Sequence, residues 1–155
     1  MQKNIRKEIL KGLKRVVIKV GSSIITKREK KNNEWANELN ANNVRLLART
    51  IRQIVDRNCE VVLVSSGAIM AGRERLGLHR ADLSIPEKQA CAAIGQSYLM
   101  HTYEKKFEKE GIKVAQILLG HDDLRNRKRF LNAKHTLEAL LEHKVIPIIN
   151  ENDSV

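Results

Sequence analysis

Aromatic residues are scarce in this chain: one Trp, two Tyr and two Phe among 155 residues. A core must then be built mainly from Ile, Val, Leu and Ala, and few rings are left to interleave with basic groups for base stacking. Cysteine is nearly absent as well. Cys59 and Cys91 lie far apart, and neither belongs to a CxxC pair. They read as buried or half-buried thiols of a reducing compartment. No apolar run reaches the roughly 18 residues of a membrane span. Met1 to Lys14 is charged throughout, unlike a secretory leader. The pattern GxxxxGK followed by Ser or Thr is missing, and so is GxGxxG after a strand. A P-loop kinase and a dinucleotide fold are therefore disfavoured. The five histidines show no metal-ligand spacing with Cys or carboxylates and read as surface or structural.

What is present is positive charge. The formal net charge is +11, from 29 Lys and Arg against 18 Asp and Glu. Such a balance can mark a nucleic-acid partner. Much of the excess, however, lies on expected helix surfaces, such as Lys3 to Arg15 and Lys105 to Lys109, where it reads as a solvated face. An anionic substrate also suits a positive field. Ile5, Ile9, Leu10 and Leu13 make a short amphipathic face, read as packing on its own domain rather than lying on a membrane. The length fits one domain, and 42% of residues are apolar.

Along the chain, strand-like and helix-like stretches alternate. A helix is expected at about 3–13 and a strand at 15–20. A polar loop follows at 27–40, then a helix with Val44, Leu47, Ile51, Ile54 and Val55 on one face. A second strand covers 60–65 and a helix about 67–76, with Gly77 as its cap. After a loop at 78–83, Ser84 and Pro86 open a long helix over about 85–109. A third strand spans 112–118, a polar turn 120–126, a helix about 127–143 and a fourth strand 145–149. Strands alternating with helices predict an α/β fold with a mostly parallel sheet covered on both faces. The near-continuous apolar strands agree with burial on both sides.

Three strands end in small or polar groups, where parallel sheets bind ligands. Val16 to Val20 leads into Gly21-Ser22-Ser23, Val61 to Val64 into Ser65-Ser66-Gly67, and Val145 to Ile149 into Asn150-Glu151-Asn152-Asp153. Lys19 is the sharpest residue. Burying an unpaired ammonium is costly, so a lysine in an apolar strand before a Gly-Ser-Ser turn is expected to face the crevice and meet an anion. The alternative is a solvated strand edge. Free N–H groups in the Gly21 turn suit phosphate. Ser65-Ser66-Gly67 opens a helix and reads equally as a carboxylate site or as simple capping. Asn150 and Asp153 offer acceptors for an ammonium group, or form an Asx turn.

At these residues the chain resembles the N-terminal part of the glutamate 5-kinases, within the amino acid kinase family. The matching segments are VVIKVGSSIIT (16–26), VVLVSSGAIMAGRERLG (61–77), KQACAAIGQSYLM (88–100), NRKRFLNAKHTLEALLEHKVIP (126–147) and IINENDSV (148–155). The resemblance implies a three-layer αβα sandwich and transfer of the γ-phosphoryl group of ATP to the side-chain carboxylate of L-glutamate. It also implies Mg²⁺, a cytoplasmic homo-oligomer and feedback inhibition by proline. It gives Lys19 the transferring phosphoryl group, Gly21 and Ser22 the ATP phosphates, and Ser66, Asn150 and Asp153 the substrate. Asp123, in the turn at 120–126, becomes the candidate for proline sensitivity. Family members continue well past residue 155 with a nucleotide-binding half and, in many cases, an RNA-modification-type domain. The expectation is that residues 1–155 form the glutamate-binding part of the kinase domain and are inactive alone. The alternative is a non-catalytic proline- or glutamate-binding half-domain, or a basic nucleic-acid-binding fragment.

Overall fold

A computed structural model describes residues 12–31, 34–78, 80 and 82–155. Four strands form one all-parallel sheet in the order β1-β4-β6-β5. They are β1 (Arg15–Val20), β4 (Glu60–Ser65), β5 (Lys113–Leu119) and β6 (Val145–Glu151). A separate antiparallel pair is made by β2 (Thr26–Lys31) and β3 (Glu34–Leu39). The helices are α1 (Ser22–Ile25), α2 (Ala41–Val55), α3 (Ala68–Leu76), α4 (Ile85–Glu108), α5 (His121–Arg125) and α6 (Arg127–Glu142).

The register explains the core. Val16 pairs with Val61, Ile18 with Leu63, and Leu63 with Ile148. Side chains alternate along a strand, so these residues share one face with Val20, Ser65, Ile146 and Asn150. Against that face pack Val44, Ala48 and Ile51 of α2 and Leu99, Tyr103 and Phe107 of α4. The two α4 rings meet edge to face with centroids 5.9 Å apart. Each such side chain, fully buried, contributes about 1.5–3 kcal/mol. Helix α6 covers the opposite face of β6, burying Leu141 there.

Local signals set the helix ends. The Asn40 side chain caps α2 by accepting from the N–H groups of Asn42 and Asn43 at 3.2 and 3.1 Å. Glu87 reaches back to the Ser84 N–H at 2.9 Å and to its hydroxyl at 2.7 Å, opening α4 as a capping box. Gly77 ends α3 in the left-handed region at φ +63°.

Three expectations change. Residues 27–40 hold a hairpin rather than a loop, pairing Thr26 with Leu39 through Lys31 with Glu34. The polar composition hid it, since neither face of most of this ribbon carries an apolar alternation. Its base is anchored: Thr26 and Leu39 are buried, and the Asn40 N–H donates to the Ile25 carbonyl at 2.7 Å. Second, β1 is an edge strand with one covered face. Val17 is 61% exposed, and Arg15 and Lys19 beside it are exposed too. Third, residues 120–126 contain a short helix, α5, instead of a turn alone. The helix expected at about 3–13 lies outside the described residues, apart from Gly12 and Leu13, which are not helical.

Candidate functional site

Because the four strands run the same way, all of their carboxyl ends meet at one edge of the sheet. A crevice of about 690 Å³ opens along it. Its walls bring together Lys19, Ser22, Ser66, Asn150 and Asp153, drawn from three different strand ends. Gly21 stands immediately beside it, and Asp123 is not among its lining residues.

The first end of the crevice is electropositive. Lys19 is exposed on the edge strand, so its ammonium is hydrated rather than trapped, yet it borders the crevice. Its Nζ lies 3.8 Å from where a β-carbon on Gly21 would stand, so the lysine folds back over the glycine turn. Ser22 begins α1, and fully buried Ile25 pins that helix inward. Gly67 sits at φ +109°, and a β-carbon there would stand 3.0 Å from Ile25 Cδ1 and 3.5 Å from Ser22 Cβ. Only glycine tolerates both the backbone and the contact. The turn after β1 and the turn after β4 are thereby pressed together.

Ser66 donates to the Val20 carbonyl at 3.3 Å. That is long for an O–H···O bond, so the hydroxyl can swing to a ligand at small cost. Ser65, in contrast, is buried and committed. Its Oγ lies 2.9 Å from the Tyr103 hydroxyl. Burial pushes the Tyr103 phenol up from its ordinary value, so it stays neutral. Beyond Gly67, α3 presents first-turn N–H groups and the positive end of its dipole to the crevice.

The other end is electronegative. Asp153 and Glu151 both line the crevice. Desolvation, and then the nearby Glu151 charge, push the Asp153 carboxyl up from its ordinary 3.8. A partly desolvated carboxyl beside a second, exposed carboxylate favours a bound cation. Asn150, 6% exposed, donates through Nδ2 to Gln96 Oε1 at 2.7 Å and accepts from the Glu151 N–H at 3.0 Å. Its amide is thus largely spoken for within the protein.

Asp123 sits behind this wall. Its carboxylate accepts from the Gly120 N–H at 2.7 Å and faces Arg129 Nη1 at 3.4 Å. It fixes the start of α5, whose His121 and Leu124 do line the crevice. Reading of the sequence did not single out His121, Leu124, Glu151 or Gln96 as site residues. Two signals were available: Glu151 stands in the same polar strand end as Asp153, and His121 lies two residues past the end of β5. A second hollow, about 590 Å³, lies at the amino end of the sheet and gathers none of these groups. Its Arg52 is paired with Asp56. Among the described residues, no three His, Cys, Asp or Glu side chains cluster as a metal-ligand set. None of the described helices is long and apolar enough to cross a membrane.

Comparison with known proteins adds the following. The model of the amino acid kinase family matches residues 14–155. A glutamate 5-kinase of Geobacter metallireducens is 51% identical over 150 residues, covering 97% of this chain and 38% of the relative. That of Geobacter sulfurreducens matches equally, at 51% over 150 residues. A glutamate 5-kinase of Clostridium tetani is 48% identical over 150 residues, which is 54% of its length. The chain therefore spans between about two-fifths and about half of these relatives.

Proposed function

The chain belongs to the amino acid kinase family, and on that footing we propose that it forms the glutamate-binding portion of an enzyme that phosphorylates the side-chain carboxylate of L-glutamate. The observation that carries this reading is the charge order of the crevice. Along the strand order β1-β4-β6 a lysine comes first, a flexible serine hydroxyl and a helix N-terminus next, and two carboxylates last. An amino acid with a second acidic group has the complementary charges.

In this reading Asp153 and Glu151 hold the substrate ammonium. Ser66 and the first turn of α3 hold a carboxylate. Asn150 fixes the β6 terminus from which Asp153 projects. A side-chain carboxylate oxygen of glutamate attacks the γ-phosphorus of ATP. One O–P bond forms, the bond to the bridging oxygen breaks, and ADP leaves. The attacking carboxylate is ionised at neutral pH, so no general base is needed. Such a transfer asks the protein for positioning and charge stabilisation, and Lys19 supplies the cation nearest the phosphoryl group. Gly21 and Ser22 lie along the ATP phosphates. The remainder of the nucleotide site is assigned to the part of the longer relatives that lies beyond the match. Mg²⁺ would neutralise phosphate charge, but the described residues offer it no ligand set, so no step here passes through it.

Proline shares the ammonium and carboxylate of glutamate, and we place its inhibitory site in the same crevice, with Asp123 acting through α5. Assembly as a homo-oligomer in the cytoplasm belongs to the same proposal. The test is a calorimetric titration of the 155-residue chain with L-glutamate, with D-glutamate as control, joined to a hydroxamate assay for acyl phosphate. The chain is expected to bind L-glutamate but to make no acyl phosphate with ATP and Mg²⁺. A chimera joining it to the remainder of the Geobacter metallireducens relative is expected to make it. Failure of the chain to bind L-glutamate would overturn the crevice assignment. Turnover by the chain alone would overturn the division into two parts.

A further inference from the structure

The core facing the crevice is made of Ile, Val, Leu and Ala, yet two primary amides are buried in it side by side. Gln96 on α4 is 8% exposed and Asn150 on β6 is 6% exposed. Burying an amide costs free energy unless its hydrogen bonds are made. An apolar pair of the same volume would avoid that cost. The hydrogen bonds give the reason for the amides. The Glu151 N–H donates to Asn150 Oδ1 at 3.0 Å, Asn150 Nδ2 donates to Gln96 Oε1 at 2.7 Å, and Gln96 Nε2 donates to Gln116 Oε1 at 3.2 Å. The series is unidirectional. A backbone N–H can only donate, so Glu151 turns the Asn150 oxygen toward itself. That turns Nδ2 toward Gln96, and the orientation of each later amide follows. Bonds in such a chain polarise one another.

The chain starts two residues before Asp153, on the strand end that carries it, and finishes on β5 at exposed Gln116. We propose that Gln96 is a positioning residue of this site. It clamps Asn150 from behind, so that the β6 terminus, and with it Asp153, is held at the angle the crevice needs. In this arrangement Asn150 serves as a strut more than as a ligand. The inference rests on the reading of the crevice as a glutamate site, but part of its test does not.

Gln96→Met keeps the length and shape of the side chain and removes the acceptor. In the 155-residue chain it should weaken L-glutamate binding about tenfold. Asn150→Ala should weaken it comparably, and the double variant should be no worse than Asn150→Ala alone, as expected of residues acting as a unit. Leu99→Ala, one turn further along α4 and fully buried, is the control for general core damage. It should lower the melting temperature more than Gln96→Met does and leave affinity within about twofold. A ligand-free readout is NMR. The Asn150 side-chain amide of the wild-type chain should exchange slowly with solvent. Gln96→Met should abolish that protection and shift the Asn152 and Asp153 backbone amides. If the wild-type chain binds no glutamate, the crevice reading fails, and the exchange and backbone shifts alone decide the positioning role. Multiplicative losses in the double variant, a rapidly exchanging Asn150 amide in the wild type, or unmoved Asp153 signals in Gln96→Met would each overturn the proposal.

Discussion

Gly95→Ala is a small change that the structure converts into a large one. Gly95 lies where α4 crosses α3. A methyl group there would stand 1.8 Å from the Ala68 carbonyl oxygen, 2.5 Å from the Gly72 nitrogen and 2.8 Å from the Ala68 carbonyl carbon. Carbon and oxygen approach to about 3.3 Å without repulsion, so the helices must part by roughly 1.5 Å. Every obstructing atom is backbone, and none can swing aside. On an exposed helix the same substitution would gain about 1 kcal/mol in propensity. Here the overpacking should reach the upper end of its usual range, about 3 kcal/mol. The net loss of about 2 kcal/mol corresponds to a melting point lower by roughly 4–8 °C for a chain of this size. A second consequence follows from connectivity. Ala68 is the residue directly after Ser66-Gly67, so a displaced α3 carries the serine turn with it. L-glutamate binding should weaken about tenfold or more at temperatures where the variant is still folded, since misplacing a binding group by an ångström is costly. Calorimetric melting and titration measure the two effects separately. An unchanged or raised melting point would refute the close crossing. A lowered one with normal affinity would refute the link between the crossing and the crevice.

Other substitutions test the site itself. In the chimera described above, Lys19→Ala should lower kcat about a hundredfold, as loss of a preorganised charge at a transition state does; a kcat within a few-fold of the parent in a folded variant would remove Lys19 from the chemistry. Asp153→Asn should raise KM for glutamate far more than KM for ATP, and equal effects would mark Asp153 as structural. The carboxyl of Asp153 is raised by its surroundings, so the fold holds its proton more tightly than the unfolded chain does. Its contribution to stability is present below the ordinary 3.8 and is lost as pH rises through the elevated value. Asp153→Asn should therefore melt slightly higher than the parent at neutral pH without ligand, and a lower melting point would contradict the desolvation argument. Glutamate affinity should rise with pH across the same window in the parent, and that part of the dependence should vanish in the variant. Asp123→Asn should weaken proline inhibition in the chimera while leaving ATP use nearly intact; an unchanged proline response would leave Asp123 as a helix cap only.

The parallel strands were legible because each is rich in Val, Ile or Leu and closed by glycine or by polar residues. The ends of α4 were legible for a local reason too: Ser84, Pro86 and Glu87 carry the capping chemistry within one turn. Lys19, Ser22, Ser66 and Asp153 could be named because a parallel sheet puts successive strand ends on one edge, whatever the strand order. The hairpin of β2 and β3 was not legible, since its strands lack the apolar alternation that betrays a buried face. Nor was the exposure of Lys19. The run VVIKV does not say which of its alternate positions face the core, and only the edge position of β1 leaves Val17 and Lys19 open. The commitments of Asp123 to Gly120 and of Asn150 to Gln96 were hidden for a related reason. A polar residue beside a ligand crevice and one that braces it have the same identity, and only the partner tells them apart.

That distinction bears on how the site is specified. Much of its geometry is set from behind by one face of α4. Gly95 fixes how near α3 approaches, and so where the turn after Ser66 begins. Gln96 fixes the end of β6 through Asn150. Tyr103 fixes the end of β4 through Ser65. None of these three α4 residues lines the crevice. Each instead holds a different element that does, and Leu99 and Phe107 bury the same helix in the core between and beyond them. The crevice can therefore stay open and hydrated at Lys19, while its Asp153 end rests on a helix whose inner face is buried in the core. A substitution at Gly95, Gln96 or Tyr103 should consequently alter glutamate affinity before it alters anything at Lys19, whereas Leu99, which braces no crevice element, should affect stability alone.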